Sequence, residues 1–202
     1  MLLSLHLALQ ALSFADTSDG ELVSGYLATR DERCFAELYR RYSPRVYSKC
    51  VTMLDNRAEA NDAVQDIFER VLLRIGSFRA DAKFGTWLFS ITNNHCIDRL
   101  RRRKRLRAKR GTLPEHAEVA AVVEDVDWLE EQSPAAIRHI LTELSEMDRA
   151  ALVLMYMDEL SVAQISETLN LGVSATKMRL KRARDRARGI YDRWIVTQQQ
   201  YA

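Results

Sequence analysis

Apolar side chains recur along most of this chain every three or four residues, the spacing that places them on one face of an α-helix. Phe35, Leu38, Tyr39, Tyr42, Val46, Cys50, Met53 and Leu54 keep that period through Pro44, which is expected to kink the helix or divide it. Asp55-Asn56 then reads as a turn. The next helix, about Ala58 to Ile75, is expected to bury Ala60, Ala63, Val64, Ile67, Phe68, Val71, Leu72 and Ile75. Asp62, Gln65, Asp66 and Glu69 fall on its other side, at i, i+3, i+4 and i+7, which by itself describes the wet face of a helix. Gly76 breaks the pattern, and after a loop from Phe78 to Gly85 Thr86 can cap a further helix with Trp87, Leu88 and Ile91 turned inward.

Towards the C-terminus two short patterns meet at a turn. Ser161 begins a helix with capping-box spacing to Gln164, and Ile165 and Leu169 form its apolar side. Asn170-Leu171-Gly172 supplies residue types that tolerate the left-handed backbone of a sharp turn, and Ser174 can cap the second helix. In that helix, Val173, Thr176, Leu180, Ala183 and Ala187 make one narrow packing stripe, while Lys177, Met178, Lys181 and Arg182 project from the opposite side. A helix held by its domain on one face and presenting donors on the other is what reading base edges in a major groove requires. Alone, a basic helix is an ordinary solvated surface; caps, turn and small-residue packing face together point to a helix-turn-helix.

The formal charge of +2 conceals a block pattern. Between Arg99 and Arg110 there are nine basic residues and no acidic one. From Gly111 to Ile137 no Lys or Arg occurs, whereas Glu115, Glu118, Glu124, Asp125, Asp127, Glu130 and Glu131 are acidic. Two basic surfaces joined by an acidic tether suggest two contacts with a polyanion. Ahead of the first basic run, the loop from Phe78 to Gly85 combines rings with cations, a mixture suited to an unstacked base. Asn93 and Asn94 add amides able to pair with a base edge. Without that context Phe78, Phe84 and Trp87 are ordinary core aromatics.

Cys34, Cys50 and Cys96 are odd in number and widely spaced, which argues against a disulfide framework; His95-Cys96 lacks a second pair at metal-ligand spacing. The leucine-rich first fifteen residues lack the basic start of a secretory signal and fall short of the roughly 20 residues needed to cross a bilayer. They are expected either to form an extra docking helix or to reflect a misassigned start. No cofactor, metal or catalytic constellation is expected, so the chain does not read as an enzyme.

Four strings in order, Phe35-Ala-Glu-Leu-Tyr-Arg-Arg-Tyr42, Ala63-Val-Gln-Asp-Ile-Phe68, Phe84-Gly-Thr-Trp-Leu88 and Lys181-Arg-Ala-Arg184, resemble regions 2 and 4 of bacterial sigma factors of the extracytoplasmic-function class. The resemblance covers about residues 20 to 190. It implies an all-α fold of two helical domains, a region 2 bundle at 21–110 and a region 4 helix-turn-helix at 134–195. These are joined by an acidic linker at 111–133 and flanked by an extension at 1–20 and a tail at 196–202.

The implied function is that of an alternative sigma factor, which binds core RNA polymerase and directs it to promoters. By resemblance Asp62, Gln65, Asp66 and Glu69 meet the clamp helices of the largest polymerase subunit, and region 4 meets its flap region. Phe78, Arg79, Lys83, Phe84, Asn93, Asn94, Arg99, Arg101, Arg102 and Arg103 become candidates for recognising and opening the −10 element. Lys177, Met178, Lys181 and Arg182, with Ser174, Thr176 and Arg184 beside them, become candidates for reading the −35 element. An anti-sigma protein is a further partner that the family implies, with a bacterial cytoplasmic location and no stable membrane insertion.

This chain departs from the pattern at Met178, which cannot donate a hydrogen bond, and at Ser166, whose buried hydroxyl needs a partner. The linker has no alignable motif; its charge suits the basic path by which RNA leaves polymerase. Two other classes compete: a stand-alone helix-turn-helix regulator, which leaves the segment from Phe78 to Asn94 unexplained, and a nucleic-acid-processing enzyme, for which no ligand set is present.

Overall fold

The computed structural model describes Phe14 and residues 16–79, 83–109, 128–129 and 131–200. Every regular element among them is helical, and they divide into two compact units. Residues up to Val51 together with 56–95 form the first; residues 52–55 and those from Cys96 onward form the second. Most of the leucine-rich start and residues 110–127 of the basic run and acidic linker lie outside the described residues.

In the first unit, α1 (Asp19–Thr29) opens on a reciprocal cap: the Ser18 backbone N–H donates to Glu21 Oε2 at 2.8 Å and the Glu21 N–H to Ser18 Oγ at 3.3 Å. It closes on Arg30, whose φ of 56° turns the chain through the left-handed region. Helix α2 (Glu32–Leu54) runs on into the second unit and is continuous through Pro44, so the expected division does not occur. Proline forfeits one backbone hydrogen bond, and the packing of Leu38, Val46 and Cys50, all fully buried, outweighs that loss. Asp55, at φ 54°, makes the expected turn, and the Asn56 side chain then caps α3 (Arg57–Arg74) by accepting from the Glu59 N–H.

Helix α3 buries the predicted stripe except at Leu72, which is 40% exposed beside the still more open Leu73. A single 3₁₀ turn, Ile75–Ser77, ends it. Helix α4 (Phe84–Lys109) starts three residues earlier than a Thr86 cap would place it: the Lys83 carbonyl accepts from the Trp87 N–H at 3.2 Å, so Thr86 sits inside the first turn and is not the cap.

Electrostatics reinforce this packing locally. Glu37 is buried on α2 and accepts from Arg40 Nε and from Arg41 Nε, each at 2.7 Å. The Arg40 hydrogen bond is the main cause that holds the Glu37 carboxyl down at about 2, with Arg41 adding to it against the opposing effect of burial. A carboxyl lowered from its unfolded value near 4.5 contributes stability above that pH and loses it as pH falls towards 2. Glu37→Gln is therefore expected to lower stability at neutral pH by about 1 kcal/mol, discounted because Arg40 is largely solvated. In thermal melts, its difference from the native chain should vanish between pH 4.5 and pH 2.

The second unit carries α5 (Pro134–Glu143), capped by Ser133, and α6 (Glu146–Leu152), capped by Ser145. Helix α6 runs into one π-helical turn, Val153–Met157. Then come α7 (Val162–Thr168) and the long α8 (Val173–Gln200), which packs against α5, α6 and α7. Ile140, Leu144, Leu152, Leu154, Ile165, Leu169 and Leu180 form the core, and Ala183 and Ala187 let α8 approach its neighbours closely. Helix α8 continues well past Arg188, where the basic pattern ends.

Candidate nucleic-acid and polymerase interfaces

The helix-turn-helix is built as its residues predict, with two local corrections. Ser161 and Gln164 cap each other at 2.9 Å and 3.3 Å, fixing the start of α7. Asn170, at φ 44°, is the left-handed residue of the turn; Gly172 is not, and serves instead as the carbonyl that accepts from the Thr176 N–H at 2.9 Å. That bond makes Gly172 the cap of α8, leaving Ser174 exposed in the first turn. The Ser166 hydroxyl finds its partner in the Ala163 carbonyl at 2.7 Å, so this buried hydroxyl is not left unsatisfied.

On α8, Ser174, Lys177, Met178, Lys181 and Arg182 are exposed, while Leu180, Ala183 and Ala187 are buried. Val173 leaves the packing stripe, at 48% exposed. Thr176 is fully buried and its hydroxyl donates to the Gly172 carbonyl at 3.1 Å, so as a candidate base contact it is corrected to a packing residue. Arg184 is half-buried, with Nη1 at 3.8 Å from the Met155 sulfur. A buried carboxylate anchors the helix from behind: Arg179 donates to Asp148 Oδ1 at 3.0 Å and Arg186 donates to Oδ2 of the same group. Nothing in the residue pattern pointed to Asp148.

In the first unit, Phe78, Phe84 and Trp87 form a mutual ring cluster with centroids 5.5, 5.6 and 5.5 Å apart. Phe84 is buried and serves as its base, while Phe78 and Trp87 are half-exposed. Arg79 and Lys83 flank the cluster and are exposed; residues 80–82 of this loop lie outside the described residues. One turn or more along α4, Asn93 is buried and Asn94 exposed, so Asn94 is the amide open to a base edge and Asn93 is corrected to an interior residue. Arg99, Arg101, Arg102 and Arg103 belong to the second unit. There Arg102 is exposed, whereas Arg101 reaches Asp98 at 3.4 Å, and Arg103 lies 2.9 Å from Glu146 and donates to the Leu54 carbonyl at 3.1 Å.

The polar side of α3 stands as expected, with Asp62, Gln65 and Glu69 exposed. Asp66 is half-exposed and lies 3.6 Å from Nε2 of His95, a buried residue of α4 that spacing alone did not connect with this face. Leu72 and Leu73 extend the same stripe by one turn and add apolar surface to it.

Beneath the ring cluster lies a second unforeseen group. Tyr42 of α2 meets the Phe84 ring at 5.3 Å and donates its hydroxyl to Asp19 Oδ2 at 2.5 Å. Burial first, then the Asp19 carboxylate, pushes the Tyr42 hydroxyl up to about 12, so it remains a donor at any physiological pH. Among the described residues no group of His, Cys, Asp and Glu is placed to hold a metal ion, and no helix is long and apolar enough to cross a membrane.

Comparison with known proteins places these surfaces in context. Residues 38–106 match the family described as Sigma-70 region 2, and residues 135–186 match Sigma-70, region 4. The ECF RNA polymerase sigma factor SigW of Bacillus subtilis is 33% identical over 78% of this chain and 89% of its own length. The ECF RNA polymerase sigma factor SigM of Mycobacterium tuberculosis is 31% identical over 85% of this chain and 83% of its own. Among solved structures, the fold resembles the sigma factor RpoE of Bartonella quintana, bound to the anti-sigma factor NepR, at a TM-score of 0.53 and 21% identity. That likeness covers 78% of this chain and 96% of the other. CnrH, solved with the cytosolic domain of CnrY, gives a TM-score of 0.52 at 23% identity over 86% of this chain and 97% of that one.

Proposed function

Because the chain belongs to the extracytoplasmic-function class of RNA polymerase sigma factors, and so directs promoter-specific initiation by core polymerase, we propose how that task is divided among its surfaces. The exposed stripe Asp62, Gln65, Asp66 and Glu69, lengthened by Leu72 and Leu73, docks on core polymerase. Its carboxylates offer charge complementarity, and the two leucines offer the apolar area that an interface core needs. The Phe78 and Trp87 rings, set on Phe84 and flanked by Arg79, Lys83 and Asn94, receive an unstacked base of the −10 element. Unstacking costs a few kcal/mol, and a rigid aromatic platform offsets it by stacking. Lys177, Met178, Lys181 and Arg182 read the −35 element as duplex, with Ser174 beside them, while the exposed Arg102 reaches phosphates beside the −10 element.

The observation that carries this reading is that each unit sorts its exposed side chains by chemistry: the first has a ring cluster flanked by Arg79 and Lys83 and an acidic face on α3, and the second has a basic face on α8. The protein acts in the bacterial cytoplasm, where polymerase and promoter DNA are found. An anti-sigma protein is the regulator that this division invites, since covering the α3 stripe denies polymerase one of its docking faces. Asp66→Arg is expected to weaken binding to core polymerase at least about tenfold in a competition assay, because reversing a charge at a complementary interface adds repulsion to the lost attraction. Undiminished affinity would remove α3 from the interface.

A further inference from the structure

Residues before the family match reach the ring cluster through one side-chain relay. Arg41 of α2 donates to the carbonyls of Phe14 and Thr17 at 2.6 and 2.9 Å and to Asp19 Oδ1 at 3.0 Å, while its Nε is held by Glu37 at 2.7 Å. The guanidinium thus fixes both the chain entering α1 and the carboxylate at its first turn. Asp19 turns its other oxygen to the Tyr42 hydroxyl. The Tyr42 ring then lies edge-on to Phe84, and so close to Gly85 that a Cβ there would stand 3.2 Å from the ring. Phe84 in turn supports Phe78 and Trp87. Packed rings transmit displacement because interiors at this density have no slack.

We propose that Asp19 and Tyr42 are positioning residues for promoter opening: the carboxylate holds the tyrosine, and the tyrosine holds the Phe84 base on which the Phe78 and Trp87 platform stands. The inference rests on the reading of that platform as the acceptor of an unstacked −10 base. Neither residue touches DNA in this account. Their effect is on how well the platform is prepared before the base arrives, and that preparation sets the rate of initiation where capture of the base must drive the opening of duplex DNA.

The test uses holoenzyme reconstituted from core polymerase and the full chain, with strand opening at a cognate promoter followed by permanganate reactivity of unpaired thymines. Tyr42→Phe deletes one hydroxyl and keeps the ring; Asp19→Ala removes its acceptor. Each is expected to slow opening of duplex promoter by about fivefold, the equivalent of one ordinary hydrogen bond of about 1 kcal/mol. On a promoter carrying a preformed bubble over the −10 region, both should initiate at the native rate. Native opening of the duplex by both variants would overturn the proposal, as would an equal loss on duplex and bubble, which would mark a merely structural role. Phe78→Ala in the same assay separates the two levels. If it opens duplex normally, the platform reading fails; if it is slow while Tyr42→Phe is not, only the relay fails.

Discussion

Asp148→Ala is expected to destabilise the second unit by about 3 kcal/mol, the largest stability loss of any single polar substitution considered. The carboxylate is 2% exposed and receives Arg179 and Arg186, whose side chains remain 30% and 26% exposed. Removing it leaves two guanidinium groups facing each other across a site from which most water is excluded. Breaking a buried pair from one side typically costs about 3–5 kcal/mol, and the partial solvation of both arginines places this case at the lower end. Asp148 also stands in the first turn of α6, where a negative charge complements the helix dipole. Urea unfolding followed by circular dichroism should show a lowered midpoint. By contrast, neutralising Asp98 of the same unit, 64% exposed and paired with Arg101 at 3.4 Å, should shift it little.

The second large effect falls on specificity. Lys181→Ala with Arg182→Ala is expected to weaken holoenzyme binding to a cognate −35 element by roughly 100-fold, since each good contact from a basic side chain to a base edge is worth about 1–3 kcal/mol of discrimination. Both residues are exposed on the face of α8 opposite Leu180, Ala183 and Ala187, so the double variant should fold normally. The loss should be sequence-dependent: binding to a scrambled −35 element should fall much less, by an amount that shrinks as salt is raised. A uniform loss across both sequences would assign these side chains to phosphates. Met178, 50% exposed between them, contributes apolar contact where other side chains could hydrogen-bond, so the base it faces should be one that presents a methyl group.

How much of this was legible depended on the range over which each interaction acts. The Ser161–Gln164 cap, the left-handed Asn170 and the alternation of Lys181 with Leu180 all operate within a turn or two of helix, and the residue pattern located each of them. Helix boundaries were displaced by two or three residues where a backbone carbonyl caps in place of a side chain, as Gly172 and Lys83 do, because a carbonyl has no residue-type signature. Burial was misread where two positions share a helical face: Leu72 lies at the rim of the α3 stripe, and the hydrophobic period cannot tell rim from centre.

The contacts that organise the sites were beyond pattern reading altogether. Asp148 meets residues 31 and 38 positions away, and Arg41 reaches back 27 positions to Phe14. The pairing of His95 with Asp66 likewise joins two separate helices. The adjacent asparagines show the same limit, since one residue of rotation along α4 decides that Asn93 points inward and Asn94 outward.

The central claim is that this chain confers promoter choice on polymerase through two separate elements. Run-off transcription from a genomic fragment library, with core polymerase in the presence and absence of the protein and start sites mapped by sequencing the transcripts, tests it most directly. The account predicts new starts that share two motifs at fixed spacing, one centred near −10 and one near −35. No new starts, together with tight and specific binding of duplex DNA by the protein alone, would contradict it and identify a free-standing regulator instead.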